Sequence, residues 1–297
     1  MRGCLTFCLW ALTLGWAWSA PRQHLDLVDD LRHRKVPVSL YLPGSQKAPF
    51  RLIVFSHGLG GTRDAYAELA SFWCDQGYAV AAVEHVGSNF AALRSAFRAN
   101  AVSDEITSPD EVVGRPRDVS FVLDQLGKRG DINVKRVGLA GHSFGAYTAM
   151  AGAGIPAIVH GHDAPVQLGD PRVVAAIAMS PQEKGLFFRP EDMKEARVPL
   201  MILTGTRDRL RTGAKWEDRA EVFDFLGKGN KFLGVFKGAT HLAFAGVGPG
   251  SRTLQGPLAK LTLDFWNAYL LSNGRAELTK ARAEADTSGL LEIWRSK

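Results

Sequence analysis

The sequence predicts an α/β fold, with helices layered on both sides of a mostly parallel sheet. Three observations carry this. Apolar runs of strand length alternate with segments of helical spacing through most of the chain. The runs are continuously rich in Val, Ile and Leu, as in strands buried on both faces. The chain has 297 residues, 46% hydrophobic and 22% charged, which suffices for one sizeable core and argues against long disorder. No repeat or low-complexity linker divides it, so a single domain is expected over residues 20–297.

Residues 1–19 stand apart. Arg2 gives a positive start, an uncharged run follows from Gly3 to Trp18, and Ala17 and Ser19 place small residues at −3 and −1. This is the pattern of a secretory signal cleaved after Ser19, so a secreted or periplasmic location is expected. The run is short for a membrane span, and no later segment is long and apolar enough for one. Cleavage would remove Cys4 and Cys8, leaving Cys74 without a disulfide partner. The helical spacing of "ELASFWCDQG" turns that cysteine toward the core. The formal charge is +6, and +5 once Arg2 is lost. Basic residues are scattered and not interleaved with aromatics, which excludes nucleic acid as an expected partner.

The elements follow in order. "VPVSLYLP" (36–43) and "FRLIVFSHG" (50–58) read as strands, then "RDAYAELASFWCDQG" (63–77) as a helix stopped by glycine. "YAVAAVEH" (78–85) is the third strand. "RPRDVSFVLDQLGKRG" (115–130) reads as a helix with Pro116 in its first turn. Next come a strand at 134–141 and a helix at 144–153. Strands are expected at 173–181, 198–205 and 231–239, and a last helix at 257–271. Residues 86–114 and 155–172 fit no regular element. Both are expected to leave the sheet at its C-terminal edge, where ligands bind in open α/β folds, as walls or a partial lid over a site.

The chemistry centres on "VGLAGHSFGAYTAM" (137–150). It satisfies the G-x-S-x-G nucleophile pattern in the required context of strand before and helix after. Such a turn needs small residues at Gly141 and Gly145, lifts the Ser143 hydroxyl above the sheet edge, and aims helix amides at the reacting carbonyl. A serine nucleophile needs a base, and His241, in "GATHLAF" directly after a strand, is the only histidine downstream of residue 162. The acid must come from a strand end between the two. Asp208 in "LMILTGTRD" is the leading candidate and Glu183 in "MSPQEKG" the competitor. "VFSHGLGG" offers an oxyanion loop, with the Leu59 amide paired with that of Phe144 and with His57 and Gly58 as loop support. His85 is a candidate for lining the pocket, and His142 for lining it or packing in the elbow. His160 and His162 in "HGHD" lack further ligands at suggestive spacing, so no metal is expected.

Together "FSHGLGG", "VEHVGSN", "GHSFG" and "GATHLAFAG" resemble the platelet-activating factor acetylhydrolases and bacterial proteins related to dienelactone hydrolases, over residues 36–271. The resemblance implies a three-layer α/β-hydrolase fold, Ser143 as nucleophile, His241 as base, and the Leu59 and Phe144 amides as oxyanion donors. It implies neither a metal nor an organic cofactor. The acetylhydrolases carry their acid just after the strand that follows the elbow helix, where this chain has Ser180 and Pro181. The acid is therefore expected one strand later, at Asp208, as in the dienelactone-hydrolase-like relatives. Dienelactone hydrolases themselves use a cysteine nucleophile, and this chain has serine. The resulting expectation is a serine hydrolase acting on small-molecule or lipid-like carboxylic esters. The alternatives are a non-catalytic binding protein of the same fold, or a thioesterase or peptidase using the same residues.

Overall fold

A computed structural model describes residues 22–44, 47–99, 108–209, 214–271 and 289–297; the expected signal at 1–19 lies outside them. The strands are β1 (Arg22–Asp29), β2 (Arg34–Tyr41), β3 (Phe50–Ser56), β4 (Tyr78–Val83), β5 (Ile132–His142), β6 (Val173–Met179), β7 (Leu200–Arg207), β8 (Lys231–Thr240) and β9 (Leu291–Ser296). The helices are α1 (Ala67–Asp75), α2 (Phe90–Ala99), α3 (Pro109–Gly127), α4 (Phe144–Gly152), α5 (Trp216–Phe225) and α6 (Ser251–Leu270).

All nine described strands form one sheet in the order β1-β2-β4-β3-β5-β6-β7-β8-β9. From β4 to β8 the neighbours are parallel; β1, β2 and β9 close the edges antiparallel. The continuous apolar runs are the central strands: Val54, Ala81, Leu139 and Ile177 are all 0% exposed. One face packs against α1 and α6, where Trp73 meets Trp266 edge to face at 5.9 Å and its Nε1–H donates to Thr262 Oγ1 at 3.1 Å. Gly138 on β5 makes room for this pair, since a Cβ there would lie 2.7 Å from the Trp266 ring. The opposite face packs against α3, α4 and α5 through Val122, Leu123, Tyr147, Met150 and Phe223. Cys74 is in the first of these cores, as its spacing predicted, and burial pushes its thiol up to about 12.

The helix expected at 115–130 begins earlier, at Pro109, which places Pro116 inside it. Proline has no N–H to offer the carbonyl of residue i−4, here Val112. The Tyr147 hydroxyl of α4 donates to that carbonyl at 2.6 Å, so the helix continues through Pro116 with the orphaned acceptor satisfied. Residues 86–114 likewise contain regular structure, α2, contrary to expectation. Residues 155–172 also depart from the expected placement. α4 runs antiparallel to its strands and returns the chain to the N-terminal edge, where Asp170 N–H donates to Gly152 O and Val173 opens β6. Both ends of that segment therefore lie at the edge opposite Ser143. Its middle packs beside α4, with Ile158 N–H donating to Phe187 O.

Candidate active site

The turn after β5 is built by close approach. A Cβ on Gly141 would sit 2.0 Å from Gly145 O, and one on Gly145 would sit 1.9 Å from Ser56 O. Ser143 between them has φ 54 and ψ −119, a backbone conformation that L residues rarely adopt. Its N–H donates to Met179 O at the end of β6, which ties the turn to the sheet. The strained residue is thus held by β3, β5 and β6 together.

Ser143, His241 and Asp208 come from three strand ends and form one hydrogen-bonded line. Ser143 Oγ lies 2.9 Å from His241 Nε2, and His241 Nδ1 lies 2.9 Å from Asp208 Oδ1. A carboxylate on Nδ1 fixes the tautomer with its proton there, leaving Nε2 as acceptor for the serine proton. Asp208 is 0% exposed, and its other oxygen accepts Ser180 Oγ–H at 2.5 Å and Thr204 Oγ1–H at 2.9 Å. Arg219, equally buried, forms an ion pair with it at 3.2 Å. Burial alone would raise the Asp208 carboxyl; His241, Arg219 and Ser180 outweigh it and lower it to about 2. The competing Glu183 is half-exposed and makes no contact with His241.

The sequence alone assigns no supporting role to Ser180, Thr204 or Arg219. Ser180, just past β6, hydrogen-bonds the carboxylate at the end of the next strand. Thr204 shares β7 with the start of the Asp208 turn. Arg219 is on α5, and nothing in its local pattern separates it from a surface arginine.

The loop after β3 stands over the turn: a Cβ on Gly58 would lie 3.2 Å from Ser143 Cβ. His57 Nδ1–H donates to Gly58 O at 2.6 Å, while its Nε2 accepts the His85 backbone N–H at 3.0 Å. Among the described residues neither the Leu59 nor the Phe144 amide donates to another group.

His85 and His142 do not line a pocket. His85 is 0% exposed and bridges Ser56 Oγ and Asp118 Oδ2, each at 2.9 Å. His142 is 2% exposed; its Nδ1 accepts the Tyr66 hydroxyl at 2.7 Å and its Nε2–H donates to His241 O at 3.0 Å. With both ring nitrogens engaged, each serves as packing under the site. Desolvation pushes His57, His85 and His142 well below the ordinary histidine value; Arg115 adds to this for the first two and His241 for the third. His160 and His162 are exposed, and no group of three or more metal-ligating side chains occurs among the described residues.

A comparison with curated proteins finds no match. Among solved structures, the crystal structure of a 2,6-dihydroxy-pseudo-oxynicotine hydrolase aligns with a TM-score of 0.62 at 16% identity, covering 86% of this chain and 70% of that one. That likeness is one of fold. A family model described as alpha/beta hydrolase family matches residues 53–279, which span β3 through α6 and include Ser143, Asp208 and His241. With most of its length matched, the chain belongs to the alpha/beta hydrolase family.

Proposed function

We propose that this protein is a serine hydrolase that cleaves carboxylic esters through an acyl-enzyme. The observation that carries the reading is the hydrogen-bonded line Ser143–His241–Asp208 on a strained turn. Ser143 Oγ attacks the ester carbonyl while His241 Nε2 takes its proton, and the Leu59 and Phe144 amides hold the oxyanion. His241 then gives the proton to the leaving alcohol, and Asp208 stabilises the imidazolium between the two transfers. Water, activated by His241, repeats the sequence and releases the acid. None of these steps passes through a metal or an organic cofactor.

The resemblance to acetylhydrolases and dienelactone-hydrolase-like proteins favours short-chain or lipid-like acyl esters as substrates. The signal-like segment at 1–19 supports action outside the cytoplasm. A non-catalytic binding role is disfavoured because no member of the line is missing.

The test is hydrolysis of p-nitrophenyl esters of increasing acyl length, with a short-chain phospholipid alongside. Wild type is expected to turn over the short esters, with kcat falling at least ~10³-fold in Ser143→Ala and in His241→Ala. Undiminished turnover by Ser143→Ala would refute the reading.

A further inference from the structure

We infer that Arg115, on α3, is a positioning residue for the oxyanion hole, holding both of its amide donors in register through one buried guanidinium. The inference rests on the hydrolase reading above. Arg115 is 0% exposed and touches each element that builds the hole. Nη2–H donates to the His57 carbonyl and, at 3.1 Å, to Ser56 Oγ, both at the end of β3. Nη1–H donates to Ser88 Oγ at 2.7 Å, and Nε–H to Thr148 Oγ1 on α4 at 3.1 Å. The guanidinium carbon lies 4.4 Å from the centroid of the Phe144 ring.

These contacts account for the backbone on both sides of the Leu59 amide. Arg115 fixes the His57 carbonyl, and His57 Nδ1–H fixes the carbonyl of Gly58. A peptide is planar and trans, so binding the Gly58 carbonyl turns the Leu59 N–H to the opposite side. Beyond it, Gly60 N–H donates to Ser88 O at 2.9 Å, and the Ser88 side chain is itself on Arg115 and Glu111. The second donor is held by the same group: Arg115 lies over the Phe144 ring and bonds Thr148, whose hydroxyl donates to Phe144 O at 3.3 Å. A planar fork of five N–H donors can join three elements in this way; a lysine ammonium cannot.

Transition-state stabilisation depends on amide placement to within an ångström, whereas ground-state binding of a small ester does not. The test compares wild type, Arg115→Lys and Thr148→Val on p-nitrophenyl acetate. It also measures inhibition by a trifluoromethyl ketone, whose hemiketal oxyanion occupies the hole. For Arg115→Lys, kcat is expected to fall about 10²-fold with KM within about twofold. The ketone inhibition constant should rise by the same factor as kcat falls. Thr148→Val deletes the two hydrogen bonds of that hydroxyl, from Arg115 and to Phe144 O, at nearly constant volume and should move both quantities in parallel by a few-fold; it carries the test alone if Arg115→Lys does not fold. Wild-type kcat in a folded variant would overturn the inference, as would a fall in kcat with the ketone constant unmoved. A wild type that hydrolyses no ester and binds no ketone would instead defeat the hydrolase reading, and this inference with it.

Discussion

At the scale of single residues, the site depends on conformations that would not form in isolation. Ser143 has φ 54, which costs an L residue roughly 1–3 kcal/mol. Ser143→Gly removes that strain and Ser143→Ala keeps it. The glycine variant is therefore expected to be the more stable of the two by about 1 kcal/mol in urea unfolding, although neither should be active. Equal stabilities would mean that the turn is relaxed. The glycines beside it make the opposite case. Gly145→Ala would drive a Cβ to 1.9 Å from Ser56 O, a backbone atom that cannot move without shifting β3. That variant is expected to lose more than about 3 kcal/mol or fail to fold, read from its melting temperature.

At the scale of elements, legibility followed burial on both faces. The central strands showed as continuous apolar runs, and the serine turn as glycines flanking a strand end. The edge strands were not anticipated, because β1 (RQHLDLVD) and β9 (LEIWRS) carry charges on solvent-facing positions and are largely exposed or half-buried. α2 and α5 are not legible either. α2 buries only Ala96, and α5 (WEDRAEVFDF) mixes charged residues into its buried face, including Arg219. Pro116 reads as a helix beginning, so the first turns of α3 are not legible; the hydroxyl that compensates for it comes from Tyr147, far along the chain. Ser143, His241 and Asp208 were legible as strand-end positions in the expected chain order. The residues that hold Asp208, namely Ser180, Thr204 and Arg219, act across elements or turns, and no local pattern ties them to it. The layered architecture separates stability from chemistry. Gly138→Ala would push a Cβ into the Trp266 ring on the α1–α6 face, away from the serine turn. It is expected to cost about 1–3 kcal/mol while kcat/KM of the folded fraction stays at the wild-type value. A large loss of kcat/KM would show that the two faces are coupled.

At the scale of the whole molecule, the buried histidines set the response to acid. His57, His85 and His142 remain neutral in the folded chain well below the pH at which they would take protons once unfolded, near 6.5. The unfolded state therefore binds more protons as pH falls through that value, and stability must fall with it. The slope should approach about 4 kcal/mol per pH unit when all three contribute. Asp208 acts in the same direction at lower pH. Its folded value is about 2 against 3.8 for the free group, so its contribution is intact above pH 3.8 and is lost as pH drops toward 2. Urea unfolding between pH 7.5 and 5 is expected to show this decline, and a flat profile would mean that the three histidines are protonated in the fold.

These scales meet in one hydroxyl. The most direct measurement is covalent labelling by a fluorophosphonate, followed by intact mass and peptide mapping. A single adduct per chain is expected, on the peptide containing Ser143, absent from Ser143→Ala and formed far more slowly by His241→Ala. No adduct on wild type, or one that persists in Ser143→Ala, would contradict it.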